Sequence, residues 1–241
     1  MTERSAAGKE IEWKGRTGPF KLLLGPGVFS PTHTSLALAE ALEVSPRDTV
    51  IAVGCGCGVL SFVAARLGAE RVIGCDLSEA SVRVARENAV RLGLGGATEF
   101  RLGNMLDPVR DVKADVIIGD ISGIPDSVAE ITGWFPGGPT GAELPVAMLE
   151  AVGETLKPGG RMYLPTGTIQ AEERVLDAAR RIFGSRMELI FEREFPLSSV
   201  VARSSAVMAM VSTGVLKLRQ RGSRMLWRLA IWRCERPEPQ S

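Results

Sequence analysis

The chain lacks most of what a hydrolase, a metalloenzyme or a secreted domain is built from. A single histidine, His33, leaves no obvious catalytic triad. Four cysteines, at 55, 57, 75 and 234, show no disulfide framework. Cys55 and Cys57 alone fall short of the four N/S ligands a structural zinc takes, so no metal is expected. The longest apolar runs stay well below the ~18 residues of a membrane span. The opening Met-Thr-Glu-Arg-Ser-Ala-Ala-Gly-Lys-Glu has no apolar core, unlike a secretory signal. These absences predict a reduced, cytoplasmic protein with no membrane partner.

Strong overall charge is also missing: the net charge is +1. The balance hides an asymmetry. Residues 214–241 hold seven Lys/Arg and two Glu, so they carry 7 − 2 = +5 and the remainder carries −4. A basic end can face nucleic acid, but a solvated strand face is the commoner explanation. Trp227 and Trp232, five residues apart, fall on opposite faces of a regular strand, which weakens a base-stacking surface. A hydrophobic content of 45% and a length of 241 residues suit one large globular α/β domain.

The most informative stretch is Val50-Ile-Ala-Val-Gly-Cys-Gly-Cys-Gly-Val-Leu60, followed by Gly74-Cys-Asp-Leu-Ser78. It reads as an apolar strand, a turn with glycines at 54, 56 and 58, a helix, and a second strand ending on an acid. Ligands of open parallel sheets sit at the carboxyl ends of the strands. Asp76 is placed there to accept both hydroxyls of a ribose. A dinucleotide turn needs Gly-x-Gly-x-x-Gly/Ala, so that a pyrophosphate meets the helix N-terminus. Here the third glycine, Gly58, comes one residue early, and Val59 holds the place of a small residue.

Strands are expected at 49–53, 71–75, 98–102, 114–119, 161–164 and 187–193. Helices are expected at 36–42, 58–67, Ser78 (as N-cap) to about 92, 143–156, 170–183 and Leu197–Met210. Lys157-Pro-Gly-Gly160 reads as a turn, and a hairpin lies around Gly222-Ser223. This alternation predicts an α/β fold: a doubly wound, mostly parallel Rossmann-like sheet with a C-terminal antiparallel hairpin. The expected division is an N-terminal hairpin extension over residues 1–29, a core over 30–195, and a helix with a basic hairpin over 196–241.

Over about residues 27–195 the chain resembles class I S-adenosylmethionine (SAM) methyltransferases, whose turn has the Gly-x-Gly-x-Gly form. It looks closest to the HemK-like release-factor and ribosomal-protein methyltransferase branch. Gly27-Val-Phe-Ser-Pro-Thr-His-Thr-Ser35 resembles the motif that covers the cofactor in those enzymes. Gly137-Gly-Pro-Thr-Gly141, leading to Leu156-Lys-Pro-Gly-Gly160, resembles the corresponding HemK-like stretch. The resemblance implies SAM as cofactor. It implies a binding set of Thr32, Gly54, Cys55, Gly56, Gly58 and Asp76, with Asn104 and Met105 beside the adenine and Leu77 on its other face.

Two departures bear on function. Ala52 stands where the family carries an acid that organises the amino-acid end of the cofactor. Asp120-Ile-Ser-Gly123 replaces the family's Asn/Asp-Pro-Pro-aromatic clamp for a planar amide, so glutamine N-methylation is not supported. Methyl transfer from a sulfonium is an in-line displacement in which alignment supplies much of the rate, and a base is needed only for a protonated nucleophile. Asp120 is the leading acceptor-site residue, with the capping of its turn as the alternative. Ser122 could hydrogen-bond the acceptor, or satisfy its own loop. His33 could act as a base near neutral pH, or simply be solvated. Trp134 and Phe135 could wall the acceptor site. These readings favour a small-molecule acceptor, with a protein side chain, RNA or a non-catalytic SAM-binding role as alternatives. Oligomeric state is left open.

Overall fold

The computed structural model describes residues 8–238; residues 1–7 of the expected N-terminal extension and 239–241 of the C-terminal segment lie outside them. The chain divides after Asp120 into two compact units.

The first unit begins with the expected hairpin. Strands β1 (Lys9–Trp13) and β2 (Phe20–Leu24) pair antiparallel, with Trp13 opposite Phe20. Helix α1 (His33–Ala41) follows, and then a regular strand–helix alternation: β3 (Thr49–Val53), α2 (Val59–Arg66), β4 (Arg71–Asp76), α3 (Glu79–Arg91), β5 (Thr98–Leu102) and β6 (Ala114–Gly119). The four strands β5-β4-β3-β6 run parallel in that order. Val50 to Val53 and Val116 to Ile118 are buried, the unbroken apolar runs expected of parallel strands covered on both faces.

Two residues fix the frame around the glycine turn. Gly58, the N-cap of α2, has φ +92, and a Cβ there would stand 2.6 Å from the Phe62 ring and 3.3 Å from Ala85. It is glycine for helix packing. Asn88 of α3 is fully buried and uses its whole carboxamide. Its oxygen accepts from the Leu23 N–H at 2.7 Å, while its nitrogen donates to the carbonyls of Leu23 and Cys57, both at 3.0 Å. The N-terminal hairpin, α3 and the glycine turn are thus tied together by one side chain.

The second unit contains α4 (Asp126–Thr132), α5 (Glu143–Thr155), β7 (Leu156–Gly167), α6 (Glu172–Phe183), β8 (Met187–Pro196), α7 (Ser199–Ala202), α8 (Ser205–Ser212), β9 (Arg219–Arg221) and β10 (Arg224–Glu235). Strand β10 lies between β7 and β8, antiparallel to both, and forms the expected hairpin with β9. Its central Leu229, Ala230 and Ile231 are buried. Helix α6 buries Val175, Leu176, Ala178, Ala179 and Phe183, with acids in its first turn and arginines in its last, matching the helix dipole.

Two expectations are corrected. Lys157-Pro-Gly-Gly160 is part of β7, because the chain goes on pairing: Gly159 N–H donates to the Arg236 carbonyl and Arg236 N–H to Gly160, each at 2.9 Å. The helix expected over Leu197–Met210 is two short ones, since Ser198 and Ser204 each cap a new start by accepting from the N–H three residues on. Helix α4 lies in a stretch to which no element was assigned. With α7 and α8 it covers a small core of Val128, Ile169, Leu197, Val201, Val207 and Leu216. Among the described residues no helix is long and apolar enough to cross a membrane.

Candidate functional site

The glycine turn stands at the carboxyl end of β3 and is clamped from the end of β4. The N–H groups of Gly54 and Cys55 both donate to the Cys75 carbonyl at 2.9 Å. The Asp76 carboxylate accepts the Gly56 N–H at 2.9 Å on one oxygen and the Ser78 N–H at 2.8 Å on the other. Gly56 has φ +53, and a Cβ there would meet nothing within 4 Å. The space beside the middle glycine is therefore open, whereas that beside Gly58 is filled by Phe62.

The flanking groups complete a platform for a flat, partly apolar molecule. Leu77 is 63% exposed directly after Asp76. Asn104 and Met105 follow β5, and Met105 holds the left-handed φ of +46 that a non-glycine residue rarely adopts. An open glycine turn, a carboxylate at the next strand end and an uncovered leucine fit a SAM-type nucleoside. SAM would lie on Gly54, Gly56 and Asp76, with Leu77 and Met105 near its base.

Burial pushes the Cys57 thiol up to about 11 and the Cys75 thiol to about 12, and raises Cys55 well above its usual range, with Asp76 adding to the effect. The Cys55 side chain is in the core, so only its backbone borders the open turn.

The carboxyl end of β6 is organised by a residue the sequence did not single out. Thr32 caps α1, accepting from the N–H groups of Thr34 and Ser35 at 3.2 and 3.3 Å. Ser35 completes the capping box by accepting from the Thr32 N–H at 3.2 Å, and its hydroxyl then donates to Asp120 at 2.8 Å. Asp120 follows β6, and its own N–H is held by the Val53 carbonyl at 3.1 Å. Burial raises the Asp120 carboxyl to about 6, against the opposing pull of the Ser35 hydrogen bond. His33 is exposed as the first residue of α1. Ala52 is in the core, with Gly74 and Ile118 as its strand partners, and no acid occupies its place. A spacing of Thr-x-x-Ser ahead of an apolar helix was the signal that could have found Ser35.

In the second unit the Ser122 hydroxyl is committed to its own loop. It donates to the Phe135 carbonyl at 2.5 Å and accepts from the Ile124 N–H at 3.2 Å. Trp134 and Phe135 are about half exposed, at 47% and 51%. The loop ending at Gly141 is braced by Glu143, which accepts the Thr140 N–H at 3.0 Å and binds Arg174 at 2.6 Å. Burial works against the Glu143 carboxylate, but these partners and the Thr140 hydroxyl hold it at about 2. Both C-terminal tryptophans have internal partners. Trp227 packs on Phe195 with ring centres 5.5 Å apart, and Trp232 donates to the Thr166 hydroxyl at 3.0 Å.

Fold, glycine turn and strand-end acid are those of the class I SAM-dependent methyltransferases, and the sequence comparisons point the same way. Residues 22–128 match the family model described as Ribosomal protein L11 methyltransferase (PrmA). The match covers 107 of the 241 residues. A ribosomal protein L11 methyltransferase of Alkaliphilus metalliredigens is 39% identical over 115 residues, 46% of this chain and 36% of the relative. Other aligned relatives carry the same name, and the chain spans between a third and a half of their length. The structure of ribosomal protein L11 methylase from Lactobacillus delbrueckii subsp. bulgaricus is similar in fold, with a TM-score of 0.54 and 22% identity over 89% of this chain and 84% of that one. Methanocaldococcus jannaschii Trm5 in complex with adenosine shares the fold at a TM-score of 0.58 and 12% identity, over 98% of this chain and 58% of that one. The cofactor that goes with this class is SAM.

The comparisons overturn one expectation. A small-molecule acceptor was favoured because the Pro-Pro-aromatic clamp is missing, but the sequence relatives are named for a ribosomal protein. Loss of an amide clamp excludes one kind of acceptor group without excluding proteins.

Proposed function

We propose that this chain transfers the methyl group of SAM to an amine on a protein, in the manner of the ribosomal-protein methyltransferases it resembles. SAM supplies an electrophilic methyl carbon whose departure from sulfur neutralises the sulfonium charge. The observation that carries the reading is the Asp120 carboxylate, fixed by Ser35 at the end of β6 and titrating at about 6. A carboxylate of that pKa is largely ionised at pH 7, so it can hold an amine by charge and hydrogen bond, and it is a stronger base than an ordinary aspartate. Asp120 would orient the amine and remove its proton; Ser35 and the α1 cap would hold Asp120 in place. A flexible amine needs no aromatic clamp, which accords with Gly123 at that position. A cytoplasmic location follows from a ribosomal acceptor.

The test is incubation with SAM carrying a radiolabelled methyl and a ribosome-containing lysate, followed by separation of protein, RNA and small molecules. Label in the protein fraction, lost in Asp120→Asn, is expected. Label confined to RNA or small molecules refutes a protein acceptor.

A further inference from the structure

The β9–β10 hairpin carries an arrangement that folding alone does not reward. Arg221 and Arg224 are direct cross-strand partners on either side of the Gly222-Ser223 turn, and both are exposed. Like charges placed opposite each other in a sheet are destabilising. The neighbouring arginines of these strands are all neutralised: Arg219 binds Glu194, Arg228 binds Glu172 and Glu192, and Arg233 binds Glu188. Arg221 and Arg224 have no acidic partner among the described residues.

The same pair borders a groove of about 560 Å³, with Pro196 and Leu226 supplying apolar surface, Ser223 a hydroxyl and Glu194 one acidic wall. We propose that this groove is a docking site for an acidic segment of a protein partner, whose carboxylates neutralise Arg221 and Arg224. Charge complementarity selects an anion, and the rest of the lining selects a polypeptide. Apolar surface beside the arginines suits alternating acidic and apolar side chains. No aromatic ring lines the groove to stack a base, as single-stranded nucleic acid binders use. The inference deepens the protein-acceptor reading: the acceptor would be held by an acidic segment here as well as by its reacting amine.

The test uses the full chain and reads binding without turnover. The probe is a fluorescein-labelled octapeptide of alternating glutamate and leucine, followed by fluorescence anisotropy. Arg221→Thr/Arg224→Thr should weaken binding at least tenfold, and Arg47→Gln, an exposed arginine of the first unit, should leave it unchanged. Without peptide, the double variant should melt about 1–4 °C higher than wild type, because the repulsion is removed. A lower melting temperature would show that the pair serves the fold, and unchanged peptide affinity would remove the groove from recognition. Tighter binding of an oligouridylate of equal charge would make it a nucleic-acid surface. Any of these three results overturns the proposal. Peptide binding in a protein that methylates nothing would sink the functional reading and leave the docking site standing.

Discussion

The Ser35 hydroxyl donates to the Asp120 carboxylate across 2.8 Å, joining residues 85 positions apart. This bond counters the effect of burial on Asp120. Ser35→Ala removes it, so the Asp120 pKa should rise further. The acid limb of the pH–rate profile should move to higher pH, with little change in SAM affinity. An unshifted limb would separate Ser35 from the chemistry.

Asp120 also carries a stability signature. Its folded pKa of about 6 exceeds the reference 3.8, so the folded state holds the proton more tightly. The contribution of Asp120 to stability is therefore greatest below about pH 4 and is lost as pH rises through the window to about 6. Asp120→Asn should stabilise the protein above pH 6 by no more than about 3 kcal/mol, with the gain gone below pH 4. Urea melts across that range read the difference; a variant less stable at pH 7 would contradict it.

The second and third glycines of the turn should respond oppositely to alanine. Gly58→Ala forces a Cβ against Phe62 at a left-handed φ and should cost about 2–4 kcal/mol of stability. Gly56→Ala meets open space, so it should cost about 1 kcal/mol for its φ alone. SAM affinity should nevertheless fall at least tenfold, since the methyl enters the cofactor's space. Thermal melts and SAM titrations of both variants check the contrast.

Asn88→Ala strands the Leu23 and Cys57 groups that its carboxamide satisfies. A loss of roughly 2–3 kcal/mol is expected for buried groups left without partners. A change under 0.5 kcal/mol in urea unfolding would show that the three-way tie is dispensable.

The parallel half of the fold was legible because buried strands write themselves as apolar runs, as Val50–Val53 and Ala114–Gly119 do, and because Ser78 announces a helix. Asp76 and the turn were equally visible, since a glycine spacing and a strand-end acid are local patterns. Ser35 and Asn88 were not, because their partners lie 85 and 65 residues away and only the fold brings them together. The break at Ser204 was missed for a different reason. A serine inside an apolar helical pattern and a serine that caps a new helix look the same until the backbone has turned. The acceptor class was misjudged because a lost clamp was weighed more heavily than the motifs that remained.

The most direct test of the account is a calorimetric titration with SAM of the wild type and Asp76→Ala. The wild type should bind one equivalent. The variant should remain folded but bind at least tenfold more weakly, having lost the carboxylate that accepts the Gly56 N–H and that, on this account, would accept the ribose hydroxyls. Equal affinities, or no binding by a folded wild type, would contradict the cofactor site on which every later step rests.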